Sequence, residues 1–249
     1  IMLTFSPLFH NRLRTNDIKP GKFIDIGYIY DTSFESVRHR ALEHRQRLKK
    51  AGAQFIICYF DENAQFDKYG LISVKSHCAE IKALLNIVCT DPTIGVIVKT
   101  QFQKNSPQQF YELSSNRDAA KKTGRFLELM HGKHRNIVFP AEAALSADIS
   151  IGHNIGATAP LEAALIGSRC IMLNSYGFES DNDAFYAQAD VLYPSIDAAL
   201  KAIDCFRKGT AGQTRLGDWT PILDHFDQFR DGRASNRMKD LLIQVCFKG

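Results

Sequence analysis

The stretch from residue 148 to residue 167 has the residue types and the spacing of an anion site. A short apolar run ends at Gly152, a loop with a second glycine, Gly156, follows it, and a helical pattern begins near Thr158. Pro160 suits the first turn of that helix, where its missing N–H costs nothing. Because the free N–H groups and the dipole of a helix N-terminus attract negative charge, this arrangement predicts a phosphate site.

The predicted phosphate site consists of the loop and the start of the helix, namely Gly152, His153, Asn154, Gly156, Ala157 and Thr158. Thr158 can cap the helix, donate its hydroxyl to a phosphate, or do both. His153 can donate to a phosphate or a sugar hydroxyl, although a single histidine is also a common structural hydrogen-bonding group. The glycine spacing is neither GxGxxG nor GxxxxGK[ST], which excludes a dinucleotide fingerprint and a P-loop.

Glu162 adds a carboxylate one turn inside the same helix. A carboxylate at this place can accept two hydrogen bonds from the cis-diol of a ribose, which extends the anion site to a nucleotide site. A glutamate that faces solvent would explain the same residue, and glycine loops begin helices in many α/β proteins. The sequence leaves both interpretations open.

Further candidates follow other apolar runs. Lys99 ends the run 94–99, so its ammonium can lie beside a bound phosphate or simply at the surface. Gly27, in the turn after an earlier run, would let a sugar or phosphate approach the backbone closely. Asp31 and Thr32 come next, and either of them can instead cap the helix that follows.

A possible metal motif lies at Asp181, Asn182 and Asp183, which match the DxD pattern that can hold a divalent metal with a diphosphate. The run precedes a predicted helix, so capping of that helix by aspartate explains it more simply. We therefore expect neither a metal nor a cofactor.

The elements that must position these residues alternate along the chain. Apolar runs predict strands at 23–30, 54–60, 94–99, 136–139, 148–152, 170–173 and 191–193. Helical spacing predicts helices at 36–51, 73–89, 115–131, 141–147, 158–166, 183–189 and 195–206, and a mostly helical tail at 217–249. Strands that alternate with helices imply right-handed crossovers and a doubly wound, Rossmann-like α/β fold with a parallel sheet.

Such a sheet binds ligands beyond the carboxyl ends of its strands, where the strand order reverses. Residues 1–21 carry no predicted element and are expected to be a tail or the remnant of a linker. We expect one Rossmann-like domain at 22–210 and a helical C-terminal extension at 211–249.

Composition excludes several classes of protein. The chain has 249 residues, of which 45% are hydrophobic and 23% charged, so it is globular rather than disordered. Its net charge of +4 is mild, and its basic clusters at 38–50 and 121–135 are expected to be solvated helix faces. Nucleic-acid binders carry denser basic stripes with stacking aromatic residues, so no nucleic-acid partner is expected.

The cysteine pattern and the lengths of the apolar runs give expectations about cellular location and membrane contact. The six cysteines show neither CxxC nor metal-ligand spacing, which favours a reducing, cytoplasmic location. The apolar runs are far shorter than the ~20 residues that span a bilayer. We see no signal peptide at the start of this sequence and expect at most peripheral contact with the inner face of a membrane.

The segment from Phe139 and Pro140 through Ala147–Thr158 and Leu161–Ala163 to Ile171–Leu173 resembles the donor-binding half of a GT-B glycosyltransferase. The segment 227–237 also resembles the C-terminal part of transferases of bacterial surface-polysaccharide biosynthesis. The resemblance covers about 133–237. It implies that Val138, Phe139 and Pro140 hold the nucleotide base, that 152–158 and Lys99 hold the diphosphate, and that Glu162 holds the ribose.

The implied reaction is transfer of a sugar from a nucleotide-sugar donor to a glycan acceptor. A GT-B enzyme has two Rossmann-like domains, and this sequence predicts one sheet, so we expect an N-terminal partner domain that supplies the acceptor site. No catalytic base is assigned within the chain. Two alternatives stay open: a nucleotide-sugar epimerase that resembles the UDP-N-acetylglucosamine epimerases, and a non-catalytic Rossmann-like binding domain.

Overall fold

The computed structural model describes residues 1–16, 20–61, 73–100, 107–129, 138–210 and 214–247. Its strands are β1 (Met2–Thr4), β2 (Phe23–Asp25), β3 (Phe55–Phe60), β4 (Ile94–Lys99), β5 (Phe126–Leu129), β6 (Ile149–His153), β7 (Cys170–Leu173) and β8 (Leu192–Tyr193). Its helices are α1 (Pro7–Thr15), α2 (Phe34–Lys50), α3 (Val74–Thr90), α4 (Pro107–Lys122), α5 (Pro140–Leu145), α6 (Thr158–Leu165), α7 (Asp183–Ala189), α8 (Ile196–Arg207), α9 (Leu223–Phe226) and α10 (Ala234–Phe247), and a 3-10 turn covers Asp31–Ser33.

Six parallel strands form the main sheet in the order β5-β4-β3-β6-β7-β8. Numbered from one within this sheet, the order is the 3-2-1-4-5-6 of Rossmann-like folds. The predicted doubly wound α/β fold is confirmed. The strand order reverses between β3 and β6, so the ligand crevice of this topology lies beyond Phe60 and His153.

Helices cover both faces of this sheet because its central strands are apolar on both sides. Ile57 and Val96 pack with α3 and α8, whereas Ile56 and Ile97 pack with α2, α5 and α6. Alternation along a strand sends neighbouring residues to opposite faces, which explains why the continuous run of β3 is buried throughout.

The beginning of the chain differs from the expectation in two ways. Residues 1–21 were expected to carry no element, but β1 and α1 lie there, so this part of the prediction was wrong. The strand predicted at 23–30 shortens to β2, which pairs with β1 in a separate two-stranded sheet and not with the main sheet. The pattern of Phe23, Ile24 and Asp25 alone does not show which sheet this short strand joins.

The helix predicted at 115–131 was also wrong in its second half. The helix α4 ends at Lys122, Gly124 adopts a φ of +72°, and β5 follows as an edge strand beside β4. The four residues of β5 happen to continue the helical spacing, which hid the strand. The strand predicted at 136–139 lies partly outside the described residues, and Val138 and Phe139 precede α5 without strand structure.

The C-terminal extension is helical, as predicted, and holds the segment before α2 in place. Asp227 accepts a hydrogen bond from the backbone N–H of Tyr28 at 2.9 Å. Arg237 donates to the carbonyl of Ile26 at 2.7 Å and forms a two-pronged pair with Asp231 at 2.8 and 3.0 Å. This segment therefore belongs to the packed structure around the first turn rather than to a free tail.

The basic face of α2 is mostly exposed, as expected, and two of its side chains also contact α5. Arg40 lies 2.6 Å from Glu142, whose side chain is buried, and His44 lies 3.2 Å from the same carboxylate. These contacts fasten α2 to α5, and they hold the pKa of Glu142 below its usual range despite its burial. The second basic cluster, 121–135, lies partly outside the described residues.

Within the described ranges, no helix is long and apolar enough to span a bilayer. The six cysteines are free thiols, and Cys58, Cys78 and Cys170 are buried among apolar side chains, as small hydrophobic residues are.

Candidate functional site

The carboxyl edge of the main sheet carries two groups of polar side chains, one on each face. Lys99 at the end of β4 lies on the face of α5 and α6, because its neighbour Val98 packs on the α3 side. His153 at the end of β6 lies on the α3 face, where it contacts Glu80. The sequence-predicted site residues are therefore divided between two clusters instead of sharing one.

Glu162 is the centre of the first cluster, which we call the Glu162 cluster (Tyr28, Lys99, Ala141 and Glu162). One carboxylate oxygen accepts from the hydroxyl of Tyr28 at 2.6 Å, and the other accepts from the backbone N–H of Ala141 at 2.8 Å. Ala141 lies in the first turn of α5, so the carboxylate also faces the positive end of that helix. Glu162 is 3% exposed and does not face solvent.

Glu162 and Lys99 influence each other's pKa within the Glu162 cluster. Burial raises the pKa of Glu162, while the hydrogen bonds from Tyr28 and Ala141 and the charge of Lys99 oppose that rise. Burial lowers the pKa of Lys99, and the Glu162 carboxylate is among the groups that counteract it. The Lys99 ammonium donates to the carbonyl of Thr100 at 2.8 Å.

The residues assigned to the nucleotide base lie beside this cluster. Phe139 is the N-cap of α5 and Pro140 is its first residue, the position that proline favours. Val138 packs against the apolar core of the α5–α6 face. The short helix α5 thus places the 138–140 segment next to the carboxylate of Glu162.

The loop between β6 and α6 leads into a helix whose N-cap side chain makes no hydrogen bond, and the predicted phosphate site there stays a prediction. Ala157 is the N-cap and gives no side-chain hydrogen bond, so Thr158 does not cap the helix but is its first residue. Gly156 adopts a φ of +78°, and Gly156 and Thr158 are exposed. The N–H of Thr158 is engaged by the carbonyl of Gly156 at 2.7 Å.

The second cluster is a buried network of five titratable side chains on the α3 face, which we call the Tyr59 network: Tyr59, Asp61, His77, Glu80 and His153. The Tyr59 hydroxyl donates to Glu80 at 2.7 Å and lies 3.0 Å from Nε2 of His153. Nε2 of His77 lies 2.7 Å from Asp61, and Nε2 of His153 lies 3.1 Å from Glu80. Each histidine thus has a carboxylate partner.

The Tyr59 network favours the carboxylate form of Glu80. Burial alone would raise the pKa of Glu80. Hydrogen bonds from His153 and Tyr59 and the charges of both histidines outweigh burial, so the pKa lies below its usual range. His153 is 2% exposed. In this structure His153 therefore serves the network on the α3 face and not the open loop that follows it.

Sequence reasoning missed four members of the Tyr59 network. Two signals were available: Tyr59 is a polar interruption of an apolar strand, and His77 and Glu80 are three residues apart, which places them on one face of a helix. Neither signal shows which residues form the contacts, because the contacts join three elements, β3, α3 and β6, that are distant in sequence.

Asn154 contacts the loop after β7. Its side-chain amide donates to the carbonyl of Phe178 at 3.3 Å, as does that of Asn174 at 3.0 Å. The side-chain oxygen of Asn154 is buried and has no hydrogen-bond partner among the described residues. It is an acceptor available at the carboxyl end of β6.

The secondary candidates lie in contacts with the C-terminal extension. A Cβ on Gly27 would lie 3.0 Å from the Arg237 guanidinium and 3.1 Å from Asp227, so side chains of the protein occupy the space that a ligand was expected to approach. Asp31 accepts from the backbone N–H of Ala234 at 3.3 Å, which caps α10 rather than the next helix. Thr32 is exposed in the 3-10 turn.

The DxD run forms a local turn, and the predicted capping of α7 by aspartate was wrong, because the N-cap is Asn182 and its side chain makes no capping hydrogen bond. Both oxygens of Asp183 accept from Ser180, one from its N–H at 3.0 Å and one from its hydroxyl at 2.6 Å, just before α7. Among the residues that the structure describes, no three His, Cys, Asp or Glu side chains are grouped as metal ligands. The expectation of a metal-free site stays a prediction.

The fold and the polar edge define the class of protein to which the chain is similar: one Rossmann-like half of the GT-B glycosyltransferase fold. The wall teichoic acid polymerase TagF is one such neighbour, with a TM-score of 0.55 and 12% identity over 98% of this chain and 57% of the TagF chain. Anabaena HepE, solved in complex with UDP and glucose, gives a TM-score of 0.55 and 13% identity over 96% of this chain and 62% of its own.

The chain thus spans little more than half the length of these neighbours. At such identities the likeness establishes the fold alone. No protein-family model matches the sequence, and no curated protein matches it.

Proposed function

We propose that the chain is the donor-binding part of a glycosyltransferase that moves a sugar from a nucleotide-sugar to a glycan acceptor in surface polysaccharide synthesis. The observation that carries the proposal is the Glu162 cluster. It gathers a buried carboxylate, a buried ammonium and the 138–140 segment on one face of the sheet, at the edge where this topology binds ligands. The GT-B likeness of nearly the whole chain, and the UDP and glucose bound by HepE, agree with it.

In this proposal the chain binds and orients the donor. Glu162 accepts from the ribose hydroxyls, Val138, Phe139 and Pro140 hold the base, and Gly156, Ala157 and Thr158 with Lys99 hold the diphosphate. Fixed positive charge beside the diphosphate stabilises the negative charge that develops on the leaving nucleotide, which is the main electrostatic requirement of the reaction. The general base and the acceptor site belong to an N-terminal partner domain.

Calorimetry with UDP, CDP and GDP tests the proposal directly. Wild type should bind at least one of them without added magnesium, and Glu162→Ala should weaken that binding about tenfold or more, because a hydrogen bond to a charged group is lost. Glu35→Gln, on an exposed part of α2, is the matched control and should leave binding unchanged. Absence of binding to all three nucleotides would refute the proposal, and a strict magnesium requirement would refute its metal-free site.

The Tyr59 network favours one second candidate, a nucleotide-sugar epimerase. Epimerisation needs acid and base groups within the cleft, and this network places two histidine–carboxylate pairs at the strand-order reversal. NMR of UDP-N-acetylglucosamine incubated with the protein separates the two reactions. A new epimer without any acceptor would favour the epimerase, whereas an unchanged sugar would favour transfer.

The third interpretation, a non-catalytic binding domain whose α6 start holds no nucleotide, is tested by thermal shift. A nucleotide at one hundred times its dissociation constant should add ~2.7 kcal/mol to the stability of the folded state. A flat screen across all nucleotides would favour the non-catalytic domain.

A further inference from the structure

Tyr28 contacts the predicted ribose-binding residue from a distant part of the chain. Its hydroxyl donates to Glu162 at 2.6 Å across a sequence separation of 134 residues, and both side chains are buried. Sequence reasoning had assigned the neighbouring Gly27, Asp31 and Thr32 to a possible site and had given Tyr28 no role.

The phenol of Tyr28 is held on several sides. Its backbone N–H donates to Asp227 at 2.9 Å, and its ring packs edge-on against Phe5 with centroids 5.3 Å apart. Its ring also stacks on Phe34 with centroids 6.1 Å apart. The hydroxyl is therefore delivered to Glu162 by a fixed ring and not by a mobile side chain.

A carboxylate offers about four acceptor positions, two on each oxygen. Tyr28 occupies one on the first oxygen and Ala141 one on the second, so one position on each oxygen is left for a ligand. Because each carboxylate oxygen keeps one acceptor position, the two adjacent hydroxyls of a ribose could donate to one oxygen each.

We propose that Tyr28 is a positioning residue that fixes the orientation of the Glu162 carboxylate for a ribose diol. This inference rests on the proposed function, since it assumes that a nucleotide occupies the Glu162 cluster. It adds a residue that acts through Glu162 and a specific readout, the preference for ribonucleotides over deoxyribonucleotides. Without the phenol, the carboxylate can rotate, and the site loses its selectivity for a diol.

The test compares UDP with 2′-deoxy-UDP by calorimetry in wild type and in Tyr28→Phe. Wild type should bind UDP about tenfold more tightly than 2′-deoxy-UDP, the fold-change that corresponds to one hydrogen bond to a carboxylate. Tyr28→Phe should reduce this ratio to about twofold or less, chiefly by weakening UDP. Tyr186→Phe is the matched control: it removes the hydroxyl of another buried tyrosine, which accepts from Asn182, and should keep the tenfold ratio.

The outcomes separate failure of the proposed function from failure of the positioning role of Tyr28. If wild type binds no nucleotide, the proposed function fails and the role of Tyr28 with it. If wild type prefers UDP but Tyr28→Phe keeps the full ratio, only the positioning role fails. Tighter binding of UDP by Tyr28→Phe would also overturn it, because Tyr28 would then compete with the ribose.

A measurement on the wild-type protein covers the case in which Tyr28→Phe does not fold. With tyrosine labelled at Cζ, the hydroxyl proton of Tyr28 should be visible by NMR and protected from exchange with water. It should stay protected when UDP is added. Loss of that protection on UDP binding would mean that the ribose replaces Tyr28 on Glu162, and the positioning role would be wrong.

Discussion

Gly152 and Pro160 touch where strand β6 and helix α6 cross. A Cβ built on Gly152 would lie 2.4 Å from Cγ and 3.1 Å from Cδ of Pro160, closer than side chains approach one another. The glycine therefore lets α6 pack directly on the sheet, which places the start of α6 above the carboxyl edge. Sequence analysis assigned Gly152 to phosphate contact, and the structure adds this packing role.

We predict that Gly152→Ala destabilises the protein by about 1–3 kcal/mol, because the added methyl group overpacks the contact with Pro160. Urea unfolding followed by circular dichroism measures the change. Gly21→Ala is the control, since no atom lies within 4 Å of its Cβ position and its stability should change by less than about 0.5 kcal/mol. Equal stability of both variants would contradict the contact.

Sequence periodicity predicted the elements whose pattern depends only on their own residues. The strand β4 and the helix α7 have their predicted bounds, because a fully buried run and a short helix bounded by turns carry a local signal. The edge strand β5 carried none, since its four residues also fit a helix. The pairing of β1 with β2 depends on two segments that are separated in sequence.

The residues of the candidate site likewise fall into those that local sequence predicts and those that it does not. The glycine loop and Glu162 could be predicted, because a strand end, a turn and a helix start are consecutive in sequence. The partners of Glu162 could not, since Tyr28 is brought to it by packing against Phe5 and Asp227. The Tyr59 network was missed for the same reason.

Glu80 should make stability depend on pH in the acid range. Its pKa in the folded state lies below the ordinary value of 4.5, so its contribution is complete above that value and is lost as the pH falls through the folded pKa. At neutral pH, Glu80→Gln should cost about 1–3 kcal/mol, because His153 and Tyr59 lose a charged partner. The cost should shrink towards zero in strongly acidic buffer.

Urea unfolding of both proteins across the acid range gives the difference in stability at each pH. Glu35→Gln, whose side chain is 87% exposed, should show no comparable pH-dependent difference from wild type. A cost for Glu80→Gln that is constant from neutral to acid pH would show that the ionised form of Glu80 contributes nothing specific.

Asp227 should be important for the position of the Tyr28 segment. It is 1% exposed and accepts from the backbone N–H groups of Tyr28 and Phe229. Asp227→Ala leaves both donors without their partner, so we expect a loss of about 1–3 kcal/mol in chemical unfolding. Asp224→Ala is the control, since its side chain is 77% exposed and its pair with Arg230 should contribute less than about 1 kcal/mol. Similar losses in the two variants would count against the buried contact.

Lys99 should matter for the diphosphate and not for folding. Burial lowers the pKa of its ammonium, so the charge is held at a cost that a bound anion would offset. Lys99→Met keeps the length of the side chain and removes the charge, and we expect thermal stability equal to or above that of wild type. Its affinity for UDP should fall about tenfold, because a charge-assisted contact with phosphate is lost.

Uridine separates the charge of Lys99 from its packing, because uridine has the base and the ribose but no phosphate. Calorimetry should show that Lys99→Met binds uridine as wild type does, while UDP alone is weakened. Lys208→Met, at an exposed position after α8, should change neither affinity. Equal weakening of uridine and UDP would mean that Lys99 acts by shaping the Glu162 cluster, and its assignment to the diphosphate would be wrong.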